Sequence, residues 1–216
     1  MSIAEKLLRA KEDLDAVYQA GLLDDTYYLP GTLDFRQLFY KTEFPVGYSL
    51  TIKTGVAPGS LGEIFRMAVN IERVKLDIPA ATHNATYFAY SAKDLKEVEF
   101  PDGIKLTNFT NGFSMCSALV TIKGAIDLSG ATGVDGCFTG CGSLVDVRFV
   151  PGTINLSISF NASSGLSDAS IQSIVDGLAS LPAGSGQTLT VHKTVAANMT
   201  EAQKTAITTK NWTLVS

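Results

Sequence analysis

A chain of 216 residues, 45% hydrophobic and 18% charged, is long and apolar enough to bury a sizeable core, which excludes global disorder. Its net charge of -4, with no Lys/Arg stripe, argues against nucleic acid as a partner, because phosphate recognition needs a concentrated basic face to release counterions. No apolar run approaches the roughly 18–20 residues needed to cross a bilayer, so membrane insertion is not expected.

In chain order, the first element is a helix. Ile3, Leu7, Ala10, Leu14 and Val17 fall at steps of 4, 3, 4 and 3, the a/d pattern of a coiled-coil seam, with charges between them. Ser2 and Glu5 form a capping box, and Gly21 is a natural stop. A helix this short is marginal alone in water and must find a partner. Self-association as a dimer or trimer is one solution, and packing on its own domain is the other. The same segment has no uninterrupted apolar stretch and does not read as a signal peptide. Synthesis in a cytoplasm is expected, with exit by lysis or within a larger particle. Residues 22–34 read as a linker with a turn at Pro30-Gly31, and Tyr48–Ile52 as a degenerate first repeat or a capping strand.

Four segments then superimpose: Phe65 to Leu76, Ala89 to Phe100, Phe113 to Gly124 and Phe138 to Phe149. Their anchors Ile71, Leu95, Leu119 and Leu144 recur at 24, 24 and 25 residues. Units too small to bury their own apolar faces stack into one continuous core. The ladder Ala68, Ala92, Cys116 and Cys141 fits a column that tolerates only small side chains. Val74-x-Leu76, Val98-x-Phe100 and Val147-x-Phe149 alternate with Lys75, Glu99 and Arg148 and read as short strands. Gly103, Gly124 and Pro151-Gly152 read as turns, and Ile104-x-Leu106 and Ile126-x-Leu128 as returning strands.

The pattern Phe-x-x-Cys-x-x-Leu-x-x-Ile/Val, fullest at Phe113-x-x-Cys116-x-x-Leu119-x-x-Ile122 and Phe138-x-x-Cys141-x-x-Leu144-x-x-Val147, resembles the BspA-like leucine-rich repeats. Ala68 and Ala92 stand where the pattern has Cys, and Ala89 where it has Phe. The resemblance implies a leucine-rich-repeat solenoid, mainly β with short helices.

After Phe160 the period is lost. A helix is expected over Asp168–Leu181 behind Ser167, a strand over Gln187–His192, a second helix capped by Thr200 and Gln203, and a last strand from Trp212. These elements read as an α/β cap that closes the apolar end of a repeat array. The segment, with Asp168-Ala-Ser-Ile171, Thr200-Glu-Ala-Gln203 and Lys210-Asn-Trp-Thr-Leu214, is similar to the closing part of repeat proteins encoded by phages and prophages of gut bacteria, as is the opening Ser2-Ile-Ala-Glu-Lys6. That resemblance implies a virion or tail-associated protein. The expected organisation is a helix over 1–21, a linker and N-terminal capping region over 22–59, the solenoid over 60–160 and the cap over 161–216.

Little in the chain points to catalysis. There is no nucleophile elbow and no phosphate-binding glycine loop. The cysteines at 116, 137 and 141 read as small buried thiols rather than metal ligands or disulfides, and no cofactor or metal is expected. His83, in a polar loop, and His192, on a strand, are expected to be solvated or capping. Glu97 and Glu99 flank inward-facing Val98 and should point outward. The aromatics outside the repeat anchors are Tyr87, Phe88, Tyr90 and Phe109; they are candidate binding residues for a sugar or protein partner, unless they fill the convex side of the core. The expectation is a non-enzymatic virion accessory protein that attaches to a host-surface glycan or protein, or to other virion proteins. A bacterial cell-surface adhesin is the alternative, and a hydrolase on a β-rich scaffold is the third reading.

Overall fold

The computed structural model describes residues 26–28, 35–55 and 57–216. The expected helix with its seam Ile3, Leu7, Ala10, Leu14 and Val17, and the turn at Pro30-Gly31, lie outside the described residues.

The strands are β1 (Thr26–Tyr28), β2 (Glu43–Lys53), β3 (Val69–Asp77), β4 (Thr82–Asn84), β5 (Glu97–Glu99), β6 (Ile104–Asn108), β7 (Thr121–Asp127), β8 (Asp146–Phe149) and β9 (Ile158–Phe160). After them come helix α1 (Asp168–Gly177), β10 (Thr188–Val191), α2 (Lys193–Asn198), α3 (Glu201–Thr209) and β11 (Thr213–Val215). Strand alternation sets the burial. In β3, Ile71, Val74 and Leu76 point inward while Arg73 and Lys75 face solvent.

The expected leucine-rich-repeat solenoid is corrected by this architecture. The described residues form a mainly parallel β fold, with one eight-stranded sheet in the order β1-β2-β3-β5-β7-β6-β4, β8 joining at β7. A second sheet, β11-β10-β9, is also parallel, and the few helices are short. The path turns back at β7, which pairs along one edge with β5 (Thr121–Lys123) and then β6 (Ile126–Asp127), and along the other with β8, in the manner of a half-barrel. The departure centres on Gly124. It was expected to end one strand and begin a returning one, yet it lies inside β7 at φ 81, and the strand runs through it. A Cβ at this position would sit 2.2 Å from the Phe100 carbonyl oxygen, so the close approach of the two backbone segments requires glycine.

The 24-residue recurrence appears as strand register: Val74 pairs with Val98 and Val98 with Ile122. Ile71, Leu95, Leu119 and Leu144 are fully buried in one core. The turns that precede these strands are cross-linked in the same sense, with Phe65 N donating to Phe88 O and Ala89 N to Gly112 O, both at 2.8 Å. Phe39, Phe65, Phe113, Phe138 and Phe160 run through the core, the last two stacked at 4.7 Å. Where the anchor phenylalanine is replaced by Ala89, the neighbouring Phe88 fills the volume and contacts both Phe65 and Phe113 edge-on at 5.6 Å. Phe109 packs over Gly112, where a Cβ would lie 2.1 Å from the ring.

The C-terminal part is fastened by capping. Ser167 accepts from Ser170 N at the start of α1, and Thr200 with Gln203 forms the capping box of α3. Lys210 Nζ donates to the carbonyls of Val175 (2.8 Å), Asp176 (3.0 Å) and Leu178 (2.8 Å) at the end of α1. Asn211 Nδ2 donates to Leu181 O at 2.6 Å, and Trp212 Nε1 to Ala179 O at 2.9 Å. Among the described residues no helix is long and apolar enough to cross a membrane.

Candidate functional site

The turns that lead into the sheet carry two columns of left-handed backbone. One is Gln37, Glu63, Tyr87 and Asn111 (φ 53 to 59), continued by Gly136; the other is Lys41, Met67, Ser91 and Met115 (φ 54 to 64), continued by Gly140. Left-handed backbone costs a non-glycine residue about 1 kcal/mol or more, so its recurrence means that the surrounding hydrogen bonds impose each turn. Between these columns runs a third, set by Lys41 N donating to Arg66 O, Met67 N to Tyr90 O and Ser91 N to Ser114 O. Its first members are Tyr40, Arg66 and Tyr90.

The outcome is a corner where Gln37, Glu63 and Tyr87 stand beside Tyr40, Arg66 and Tyr90. The Arg66 guanidinium lies 4.9 Å from the Tyr87 ring, 5.6 Å from Tyr90 and 5.7 Å from Tyr40. The rings of Tyr87 and Tyr90 meet edge to face at 5.4 Å. Arg66 Nη1 donates to Glu63 Oε2 at 2.7 Å, and Gln37 Nε2 donates to the same oxygen at 3.2 Å. The hydrogen bond from Arg66 holds the Glu63 carboxyl below its ordinary range. All three tyrosines are part-exposed, and their hydroxyls make no hydrogen bond to any described residue. Arg66 Nε is likewise without a described partner. The corner therefore offers ring faces, donors and acceptors on a fixed framework.

The second exposed surface is the outer face of the sheet, where a groove of about 200 Å³ is lined by Ser49, Thr51, Arg73, Lys75, Glu97 and Glu99. Its charges largely cancel in pairs: Lys75 with Glu99 at 2.6 Å and Lys123 with Glu97 at 2.7 Å. Such exposed pairs are worth about 0–1 kcal/mol and leave little net field for a ligand.

Of the four aromatic candidates, the structure brings Tyr87 and Tyr90 together on the surface. Phe88 and Phe109 are corrected: both are fully buried and present no ring to a ligand. Tyr40, Arg66, Glu63 and Gln37 were missed. The signal was present, since Tyr40, Arg66 and Tyr90 recur at 26 and 24 residues. The longer first step hid it, because β2 carries two irregularities of register around Tyr48.

The histidines separate. His192 caps α2 by accepting from Thr194 N at 3.2 Å. His83 is not in a solvated loop: it is buried on β4, its Nδ1 3.2 Å from Pro58 O and its Nε2 3.5 Å from Pro79 O. Burial lowers its pKa below the ordinary 6.5. The unfolded chain then takes up a proton near pH 6.5 that the folded chain refuses, so stability falls as pH drops through that value. Proton NMR of the intact protein should find the His83 ring titrating below the ordinary imidazole value. A ring titrating at the ordinary value would refute its burial.

The three thiols are free and buried. Burial pushes Cys141 up to about 12 and raises Cys116 and Cys137 strongly. Cys116 Sγ donates to Ala89 O at 2.9 Å and Cys141 Sγ to Phe113 O at 3.1 Å, so both serve the core as donors to neighbouring turns. Among the described residues no group of three or more His, Cys, Asp or Glu could hold a metal ion.

Fold and site together define a parallel β framework with an aromatic, arginine-centred surface. Comparisons with protein-family models, curated proteins and solved structures find no match to the chain.

Proposed function

We propose that this chain is a non-enzymatic attachment protein of a phage virion, presenting its aromatic corner to a host surface or a neighbouring virion protein. The observation that carries the attachment reading is the part-exposed cluster of Tyr40, Tyr87 and Tyr90 around Arg66, with hydroxyls that no described residue bonds, on a backbone locked by hydrogen bonds. Tyrosine and arginine are the residues that most often dominate recognition surfaces, because they add large contact area at low entropic cost. The virion setting rests on the resemblance of the opening and closing segments to phage-encoded repeat proteins.

Residues 1–21 supply the means of assembly in this reading, through the seam Ile3, Leu7, Ala10, Leu14 and Val17. Deleting them should convert an oligomer into a monomer by light scattering; an unchanged mass would remove the self-association. The role itself is tested by purifying phage particles from the source strain and by adsorption assays. Particles should contain the chain by mass spectrometry, and purified protein should compete with them for host cells. Absence from the particles together with failure to compete would sink the proposal.

A further inference from the structure

We infer that the corner formed by Tyr40, Arg66, Tyr87 and Tyr90 is a platform for an extended carbohydrate chain, an inference that rests on the attachment role proposed above. A sugar ring has an apolar C–H face and a rim of hydroxyls. Its recognition therefore needs an aromatic face beside both donors and acceptors, all in place before binding. The corner meets each requirement. Three ring faces are held by one guanidinium at 4.9 to 5.7 Å, so little side-chain entropy remains to be lost. The phenolic hydroxyls supply donors and acceptors that no described residue uses. Glu63 takes both of its described side-chain hydrogen bonds on Oε2, and among the described residues none donates to Oε1, which can accept from a sugar hydroxyl.

Shape decides in favour of a chain over a single sugar. The corner is an open surface rather than a cavity, and Tyr40 and Tyr90 stand two turns apart, about 10 Å at the spacing of paired strands. Arg66 fills the step between them. Two ring faces at that separation fit successive sugars of a linear polymer. A protein partner fits less well, because protein hot spots sit within a ring of residues that exclude water. Here the neighbouring positions in the same columns are Asn111, Ser114 and Thr139, and beside them Lys41 and Ser91, all small, polar or charged; only the exposed Met67 and Met115 of the outer column are apolar, too few to close a ring around the corner.

The test uses the full chain, an array of bacterial surface polysaccharides, and titration calorimetry with the polymers that bind. Binding to at least one polysaccharide is expected, weakened about tenfold or more in Tyr87→Ala and in Tyr90→Ala. Tyr90→Phe, which keeps the ring and its packing, should weaken it less, and Arg73→Ala on the outer sheet face should leave it unchanged. Should an alanine variant fail to fold, Tyr90→Phe still reads the hydroxyl. No polysaccharide bound, or binding indifferent to Tyr87 and Tyr90 but lost in Arg73→Ala, would overturn the inference. Protein that competes for host cells stripped of polysaccharide, equally well as the Tyr90→Ala variant, would overturn it while leaving the attachment role standing. Absence from the particles with failure to compete removes the attachment role instead, whatever the array reports.

Discussion

Gly124→Ala is expected to destabilise the protein by about 3 kcal/mol or more and to lower its melting temperature by roughly 6–12 °C. Two penalties combine. The residue sits at φ 81, and an added Cβ would meet the Phe100 carbonyl oxygen at 2.2 Å. That oxygen belongs to backbone and cannot rotate away, so β7 would have to move from its neighbour. Gly103→Ala is the control, because Gly103 has φ 72 but nothing within 4 Å of the added carbon. It should cost only the conformational penalty of about 1–2 kcal/mol. Thermal melts of both variants measure the difference. Equal losses would mean that β7 does not pass Phe100 as described, and that the turning-back of the sheet at β7 is wrong.

Leu119→Asp should abolish cooperative unfolding. Leu119 is fully buried, in the same core as Leu95, Leu144 and the phenylalanine row. Among the described buried groups nothing near it in the repeat is cationic, since the flanking column is Cys116, Cys141 and Ala92. An unpaired carboxylate there costs about 4–5 kcal/mol or more, a large part of the 5–15 kcal/mol that holds an ordinary domain. Leu119→Ala, which removes volume without adding charge, should cost about 2–5 kcal/mol and still melt cooperatively. A near-normal transition in Leu119→Asp would show that the side chain reaches water.

Periodic burial was the part most open to reading from the amino acids. The anchors at Ile71, Leu95, Leu119 and Leu144, the small column Ala68, Ala92, Cys116 and Cys141, and the caps Ser167 and Thr200 with Gln203 each follow from local chemistry. What escaped is non-local. Whether a glycine ends a strand or lets another backbone press against it depends on a neighbour 24 residues away, as at Gly124 and Phe100. This is why the leucine-rich-repeat expectation gave way to a mainly parallel β fold whose larger sheet folds back at β7. Helix α2 was missed because its cap is His192, a weak start signal, and because six residues give too short a stripe to recognise. Phe88 and Phe109 seemed free of the repeat when they were repairing it, filling space left by Ala89 and Gly112. The corner itself was half legible: Tyr87 and Tyr90 stood out by composition, whereas Tyr40 and Arg66 join them only once the first, longer step is in register.

The fastening of α1 by Lys210, Asn211 and Trp212 bears on how the chain matures. Five carbonyl groups between Val175 and Leu181 receive donors from a tripeptide made 30 to 35 residues later. A nascent chain halted before position 210 would expose those acceptors to water, along with the unpaired side of β10, and stand open to proteases. The exit of α1 is thus satisfied only after the lysine, asparagine and tryptophan have been made, so this helix end depends on residues that the ribosome delivers much later.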